Sequence, residues 1–413
     1  MNTKLFVLPT LLLGGAALLV LPAKESEAFS KLGSNLSVNE RDVRVFDNFS
    51  DATANDNTVA AAQFPGQTGA ELAIWKGIVE WGSQAHGNGS GDTTQTTLGS
   101  GGANFDAFWA GKTTAPGGSS NNVVSKINTC SSGVLAYCEA PFQNGWRIRF
   151  CDSWVWNDGP SAITGSHYDL QGVMTHEYGH ALGLGHSAVS GTTMWPSVGS
   201  GSTATRSIEA DDIAGVKDIY LVKAATKPSI TATVASAGTL TIHGTNFSPT
   251  GNTVWFRPSA NTTATLDDPR IQVTGLASNG ILITVAIPAT AGPGDVIVRN
   301  ANPGHASVSN AFPTDLVGTF GNPPIVFQPA LTAISPAVVE SLQPGTERTL
   351  TLSGTGLSSV QELLLDGAVL APGSWFIESD ATITVDLPQT GLGVHELAIA
   401  LGAPVAALEF EVV

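Results

Sequence analysis

The chain has 413 residues, 42% of them hydrophobic and only 13% charged, with 46 Gly, 23 Pro and a formal net charge of −16. That length exceeds one ordinary core and suits two or three domains, and a turn-rich, charge-poor composition favours β-rich ones. An acidic chain gains nothing from polyanions, which excludes nucleic acid as a partner and disfavours anionic membrane surfaces.

The first residues carry Lys4, then an apolar run from Leu5 to Leu21 broken by Pro9, Gly14 and Gly15, then the small-x-small tripeptide Ser26-Glu27-Ala28. This is the pattern of a secretory signal peptide over residues 1–28, removed before Phe29, with cleavage after Ala23 as the second option. No later stretch is apolar enough to span a membrane, so no span is expected after cleavage and the mature chain is expected outside the cell.

Residues 29–222 read as one domain of mixed strands and helices. Asp42–Phe46 alternates polar and apolar side chains and predicts a strand. Gly69 to Ser83 predicts a helix with Leu72, Ile74, Trp75, Ile78, Val79 and Trp81 on a broad apolar face. The Gly/Ser/Thr tract from Gly87 to Gly102 predicts a loop. Val123–Ile127 and Trp146–Phe150 predict strands. Helical periodicity returns over Asp169–Leu182 and over Glu209–Tyr220. The three cysteines, Cys130, Cys138 and Cys151, lie close together. Two of them can pair in an oxidising compartment and leave one free; Cys130 and Cys138 are the nearer pair, but sequence does not fix the choice.

After Leu221 helical periodicity stops. Short alternating runs between Gly, Pro, Asn and Ser take over, and the pattern occurs twice. Thr239–Phe247 is echoed by Thr349–Leu357, Ile281–Pro288 by Thr382–Pro388, and Ile230 is matched to Ile334. Two tandem β-sandwiches are expected, at 227–313 and 328–413, joined by a linker near Pro313 to Pro329. They resemble IPT/TIG domains, immunoglobulin-like modules of extracellular and cell-surface proteins. That resemblance implies a spacer, or a module that binds an extracellular or cell-surface ligand, and carries no chemistry.

The chemistry lies in His176-Glu177-x-x-His180-x-x-Gly183-x-x-His186. Histidines four apart on a helix present both imidazoles on one face. Gly183 suits the left-handed residue that ends the helix, after which the chain turns back to bring His186. Three nitrogen ligands with a fourth position open are what a catalytic zinc requires. Glu177, beside the first ligand, is placed to act as general base toward water. Two solvated histidines would explain HExxH alone, but the longer motif fixes five positions.

The eleven residues from His176 to His186, with Ser187 after the third histidine and Met194-Trp195-Pro196 beyond, resemble the metzincins, and within them the matrixin-like zinc metalloproteases. Glu209–Tyr220 is similar to their closing helix. The resemblance implies an α+β metzincin-type catalytic domain, here followed by two all-β immunoglobulin-like sandwiches. It implies Met194 as a hydrophobic floor beneath the zinc ligands, and Asp211 or Asp212 as an anchor of the closing helix to that floor or to the N-terminus. It implies a protein or peptide substrate extended along an edge strand. Calcium is common in the family, with Asp152, Asp158 and Asp169 as candidate ligands, though solvated loop acids are the favoured reading of all three. The chain departs from the family in having no evident cysteine-switch prosegment, no evident ligand set for a second zinc, Trp195 in place of Tyr, and Leu221 in place of Gly. The sequence therefore predicts a secreted zinc endopeptidase. The alternative is a surface-binding protein that works through its sandwiches and carries an inactive protease domain; the intact Glu177 argues against it.

Overall fold

A computed structural model describes residues 28–87, 89–118, 121–128, 130–139, 145–259, 270–321, 330–340, 348–355, 357, 360–379, 381–400 and 404–413. The expected signal peptide, apart from Ala28, and the end of the expected linker lie outside them. The chain forms two compact units that divide between Pro323 and Pro324. No helix among the described residues is long and apolar enough to cross a membrane.

The N-terminal part of the first unit contains, in order, β1 (Ser30–Lys31), β2 (Asp42–Phe46), α1 (Gly69–Val79), β3 (Phe108–Lys112), β4 (Val123–Ile127), β5 (Ala136–Glu139), β6 (Arg147–Cys151), β7 (Trp156–Asn157), β8 (Tyr168–Asp169), α2 (Leu170–Ala181), β9 (Leu184–Gly185) and α3 (Ala210–Tyr220). Five strands form one sheet in the order β3-β2-β4-β6-β5. Its pairings are parallel except for the last, where β5 runs antiparallel to β6 at the edge. A parallel sheet is covered on both faces. This is why β2, whose alternation suggests one wet face, has Asp42 and Arg44 both buried and paired at 2.9 Å, with Asn122 donating to the same carboxylate.

Helix α1 is buried along its whole length and stops at Val79, short of the expected Ser83. The chain leaves it through tight turn bonds, Trp81 N–H to the Ile78 carbonyl and Gly82 N–H to that of Val79. That turn lets the Trp81 indole donate to the Thr175 carbonyl of α2 at 3.0 Å. The expected loop over Gly87–Gly102 carries no helix or strand where it is described, only an isolated bridge from Gly87 to Leu98.

The first unit continues through β10 (Ser229–Ser236), β11 (Thr239–Thr245), β12 (Asn252–Phe256), β13 (Ile271–Leu276), β14 (Leu282–Ala286), β15 (Gly294–Arg299), β16 (Phe312–Thr314) and β17 (Thr319–Gly321). They form two four-stranded sheets, β14-β11-β10-β17 and β13-β12-β15-β16. Leu240, Ile242, Val254, Phe256, Ile283 and Val298 belong to the core they share. The start of the expected linker is therefore structured. Phe312–Thr314 and Thr319–Gly321 are edge strands, a position where Pro313 costs no ladder bond.

Sheet and helices share a core with these strands: Trp255, Ile297, Val308 and Ala311 pack in one cluster with Trp75 and Trp109. Polar groups are buried between them in matched pairs. Asp295 accepts from the Trp75 indole at 2.6 Å and faces His86 Nε2 at 2.7 Å. Lys227 pairs with Asp106 at 3.0 Å, and Arg41 meets His305 Nδ1 at 2.5 Å.

The second unit has a four-stranded sheet, Ala330–Ser335, Thr349–Thr355, Thr382–Asp386 and Trp375–Ser379 in that order, and a five-stranded sheet ordered Val338–Val339, Pro404–Val412, Gly393–Ala400, Glu362–Leu365 and Ala368–Val369. Its ladders repeat those of the first unit. Leu240 faces Val285 and Ile242 faces Ile283; Leu350 faces Val385 and Leu352 faces Ile383. The register corrects one match made from sequence. Ile230 pairs with Gly244 and Leu331 with Gly354, each next to a bulge, so Leu331 is the counterpart of Ile230. Ile334 pairs with Leu352 instead. The proline near each strand is a misleading landmark, because it precedes one strand and follows the other.

Candidate metal centre and active site

Helix α2 begins at Asp169, whose side chain accepts the Gly172 N–H at 3.0 Å. The carboxylate satisfies one of the free N–H groups of the first turn. The helix carries His176, Glu177 and His180 and ends at Leu182. Gly183 follows at φ +104°, and a Cβ there would lie 2.1 Å from the Ser34 carbonyl, so only glycine fits. The chain then enters β9, antiparallel to β1, and delivers His186.

One ring nitrogen from each of His176, His180 and His186 lies within 4.8 Å of the others. Among the described residues no other three His, Cys, Asp or Glu side chains converge in this way. His176 Nδ1 is 2.6 Å from the Thr193 carbonyl and His180 Nδ1 is 2.8 Å from that of Leu184. A carbonyl can only accept, so each Nδ1 carries the proton and each Nε2 keeps its lone pair. Burial holds the His176 imidazolium far below its ordinary range, to about 3, helped by His180. Burial lowers His180 and His186 as well. Three neutral imidazoles, two of them oriented by carbonyls, suit a tetrahedral zinc with one position open.

Glu177 is buried and lines a pocket of about 310 Å³ beside the histidines. Burial raises its carboxyl to about 8, only partly offset by the Cys138 N–H that it accepts. The other carboxylate oxygen is enclosed with no protein partner. A divalent cation alongside favours the ionised form and brings such a carboxyl down.

Met194 is buried beneath α2, and a Cβ on Gly179 would lie 2.3 Å from its sulfur. The two candidate aspartates divide the tasks that sequence left open between them. Asp212, fully buried, accepts the N–H groups of Thr193 at 2.8 Å and Met194 at 3.0 Å. Asp211 accepts the N–H groups of Ala28 and Phe29, each at 3.2 Å, and the Ser187 hydroxyl at 2.6 Å.

Leu135, Trp154, Tyr168, Val173, Val198 and Thr205 also line the pocket. Edge strand β5 flanks it. Of the candidate calcium ligands, Asp169 is held by Arg206 at 2.8 Å and Asp152 is paired with Lys126. Asp158 accepts the Asn57 N–H beside Asp56, and burial raises it to about 7. The three do not converge. The disulfide joins Cys130 to Cys151, 21 residues on, and Cys138 is free. Cys138 sits on β5 opposite Ile148, while Cys130 is bonded to Cys151 at the end of β6, so the nearer pair in sequence is not the one formed. Sequence reading missed Thr193 and Leu184, which act through backbone carbonyls and leave no side-chain signal, and it missed Arg206. The His86 imidazole, just before the Gly/Ser/Thr tract, is buried against Asp295.

Residues 120–221 match the matrixin family of peptidases. Over that stretch this chain carries a matrixin-like domain. The chain is 35% identical over 88 residues to metalloendoproteinase 1-MMP of Arabidopsis thaliana, covering 21% of this chain and 24% of that one. It is 36% identical over 90 residues to human neutrophil collagenase, covering 22% and 18%. It is 40% identical over 88 residues to the hatching enzyme of Paracentrotus lividus, covering 21% and 14%. The matches therefore span no more than a quarter of these relatives. The matrixin match takes in strands β4 to β6, the histidine motif and α3, and ends at Leu221, before the sandwich strands begin.

Proposed function

We propose that this protein is a secreted zinc-dependent endopeptidase that hydrolyses peptide bonds in extracellular proteins. The observation that carries the reading is the meeting of three neutral imidazoles with the enclosed, half-unsatisfied carboxylate of Glu177 at the mouth of an apolar pocket. His176, His180 and His186 would hold the zinc. When bound, zinc supplies Lewis acidity, which polarises a scissile carbonyl and makes water more acidic. Glu177 takes a proton from the attacking water as its oxygen bonds to the carbonyl carbon. It returns that proton to the leaving nitrogen as the C–N bond breaks. Edge strand β5 flanks the pocket and would pair with an extended substrate, and the pocket would take the side chain that follows the scissile bond. The disulfide supports an oxidising, extracellular location.

The test is hydrolysis of casein and quenched peptides by the mature chain, with zinc content measured in parallel. Cleavage that stops on chelation and returns with zinc supports the reading. A folded, zinc-loaded chain that cleaves none of them sinks it and leaves the sandwiches as the working part.

A further inference from the structure

We infer that Arg206 is a positioning residue that fixes the Thr205 wall of the pocket and so sets which side chain it accepts after the scissile bond; this rests on the peptidase reading above. Arg206 closes the short turn Ala204–Arg206, and its neighbour Thr205 lines the pocket. Its guanidinium is buried and forks onto Asp169, with Nε at 2.8 Å from one carboxylate oxygen and Nη2 at 2.9 Å from the other. Nη1 reaches Asp92 at 2.7 Å, the Pro160 carbonyl at 2.8 Å and Thr94 Oγ1 at 3.1 Å, and Nη2 reaches the Ser161 carbonyl at 3.3 Å.

None of these partners lines the pocket itself; Asp169 is bonded in sequence to one lining residue, Tyr168, and caps α2, which carries Val173 and His176. One guanidinium thus joins the Tyr168 wall, the start of the ligand helix and the Thr205 wall. The backbone is held too: Gln95 donates to the Arg206 carbonyl at 2.8 Å, and Gln171 donates to Gln95. Gly172 completes the fit. A Cβ there would lie 2.5 Å from Thr205 Oγ1 and 3.5 Å from the Arg206 nitrogen, so the missing side chain is the space Thr205 occupies.

The charges balance within the buried group. Asp92 and Asp169 face Arg206, and Lys76 stands 3.9 Å from Asp92. Removing one cation would leave an uncompensated buried carboxylate. Lysine keeps the charge but lacks the planar fork that engages two oxygens at once. Arg206→Lys should therefore loosen the pocket wall while leaving the three histidines in place.

The experiment compares the full mature chain with Arg206→Lys on peptides that differ only in the residue after the scissile bond, Ala, Leu, Phe or Trp. Amide hydrogen exchange over 195–206 is measured alongside. The expected result is a change of about tenfold in the ratio of kcat/KM between Phe and Ala peptides, carried mainly in KM, with faster exchange over 195–206 and unchanged exchange in α3. An equal loss on every peptide, or an unchanged ratio with unchanged exchange, overturns the assignment. If Arg206→Lys does not fold, Asp92→Asn removes one arm of the clamp and is read the same way. If the wild type cleaves no peptide, the peptidase reading fails, and the exchange rates alone decide whether Arg206 clamps the wall.

Discussion

Asp212 accepts the backbone N–H of Met194 at 3.0 Å and, through its other oxygen, that of Thr193, whose carbonyl faces His176 Nδ1 at 2.6 Å. Helix α3 thus orients His176 through two hydrogen bonds. Asp212→Ala leaves two buried N–H groups without an acceptor and is expected to cost about 3 kcal/mol of unfolding free energy. Freed of its orientation, His176 should weaken zinc binding by about tenfold or more. Denaturant unfolding and zinc titration check both; unchanged zinc affinity in a folded variant would contradict this role.

The Cys130–Cys151 bridge closes a loop of 21 residues that contains Leu135 and Ala136 of the pocket wall. Replacing both cysteines by serine is expected to destabilise the first unit by about 3 kcal/mol through loop-closure entropy. Cys138→Ser, which breaks no bridge, should cost far less. Unfolding with and without reductant separates the two.

Asp295 joins the later strands to the N-terminal sheet and helices by accepting from the Trp75 indole at 2.6 Å and facing His86 at 2.7 Å. Asp295→Ala strands a buried indole N–H and is expected to cost about 2 kcal/mol. A chain ended after Val222 loses Trp255 and Ile297 from the shared core as well and should unfold without a cooperative transition. Calorimetry of the truncated chain tests this, and a sharp transition would show that residues 29–222 fold alone.

The histidine motif was legible because it is local: the spacing, the terminating glycine and the neighbouring glutamate all follow from one turn of helix after another. The same holds for the ends of α2 and α3 and for the repeated ladders beyond Leu221. The rest depends on residues far apart in sequence. Nothing near Arg206 announces Asp92, nothing near Trp75 announces Asp295, and Cys130 passes over the nearer Cys138. Strand β3 is too short and too uniformly buried to show alternation, and β5 follows a turn-rich stretch that reads as loop. The seam between the N-terminal sheet and the later strands was hidden because Arg41, Asp106 and Lys227 look solvated in sequence and are enclosed in the fold.

His305 packs against the Tyr220 ring and faces Arg41. Burial, with Arg41 and Lys227 nearby, lowers it to about 4. In the unfolded chain it titrates near ~6.5. Between these values the unfolded chain takes up a proton that the folded chain refuses. The stability of the first unit should therefore be full above pH ~6.5 and fall as the pH drops toward 4. Melting temperature against pH checks the sign, and His305→Gln should flatten the slope.

The most direct measurement is the rate of peptide cleavage by Glu177→Ala beside the wild type, both loaded with one zinc per chain. The geometry predicts that Glu177→Ala keeps its zinc, since the glutamate is no ligand, and loses kcat by about a thousandfold, the scale of a general base. Equal rates at equal zinc occupancy would contradict the assignment of Glu177 and, with it, the account of how this site cleaves a peptide bond.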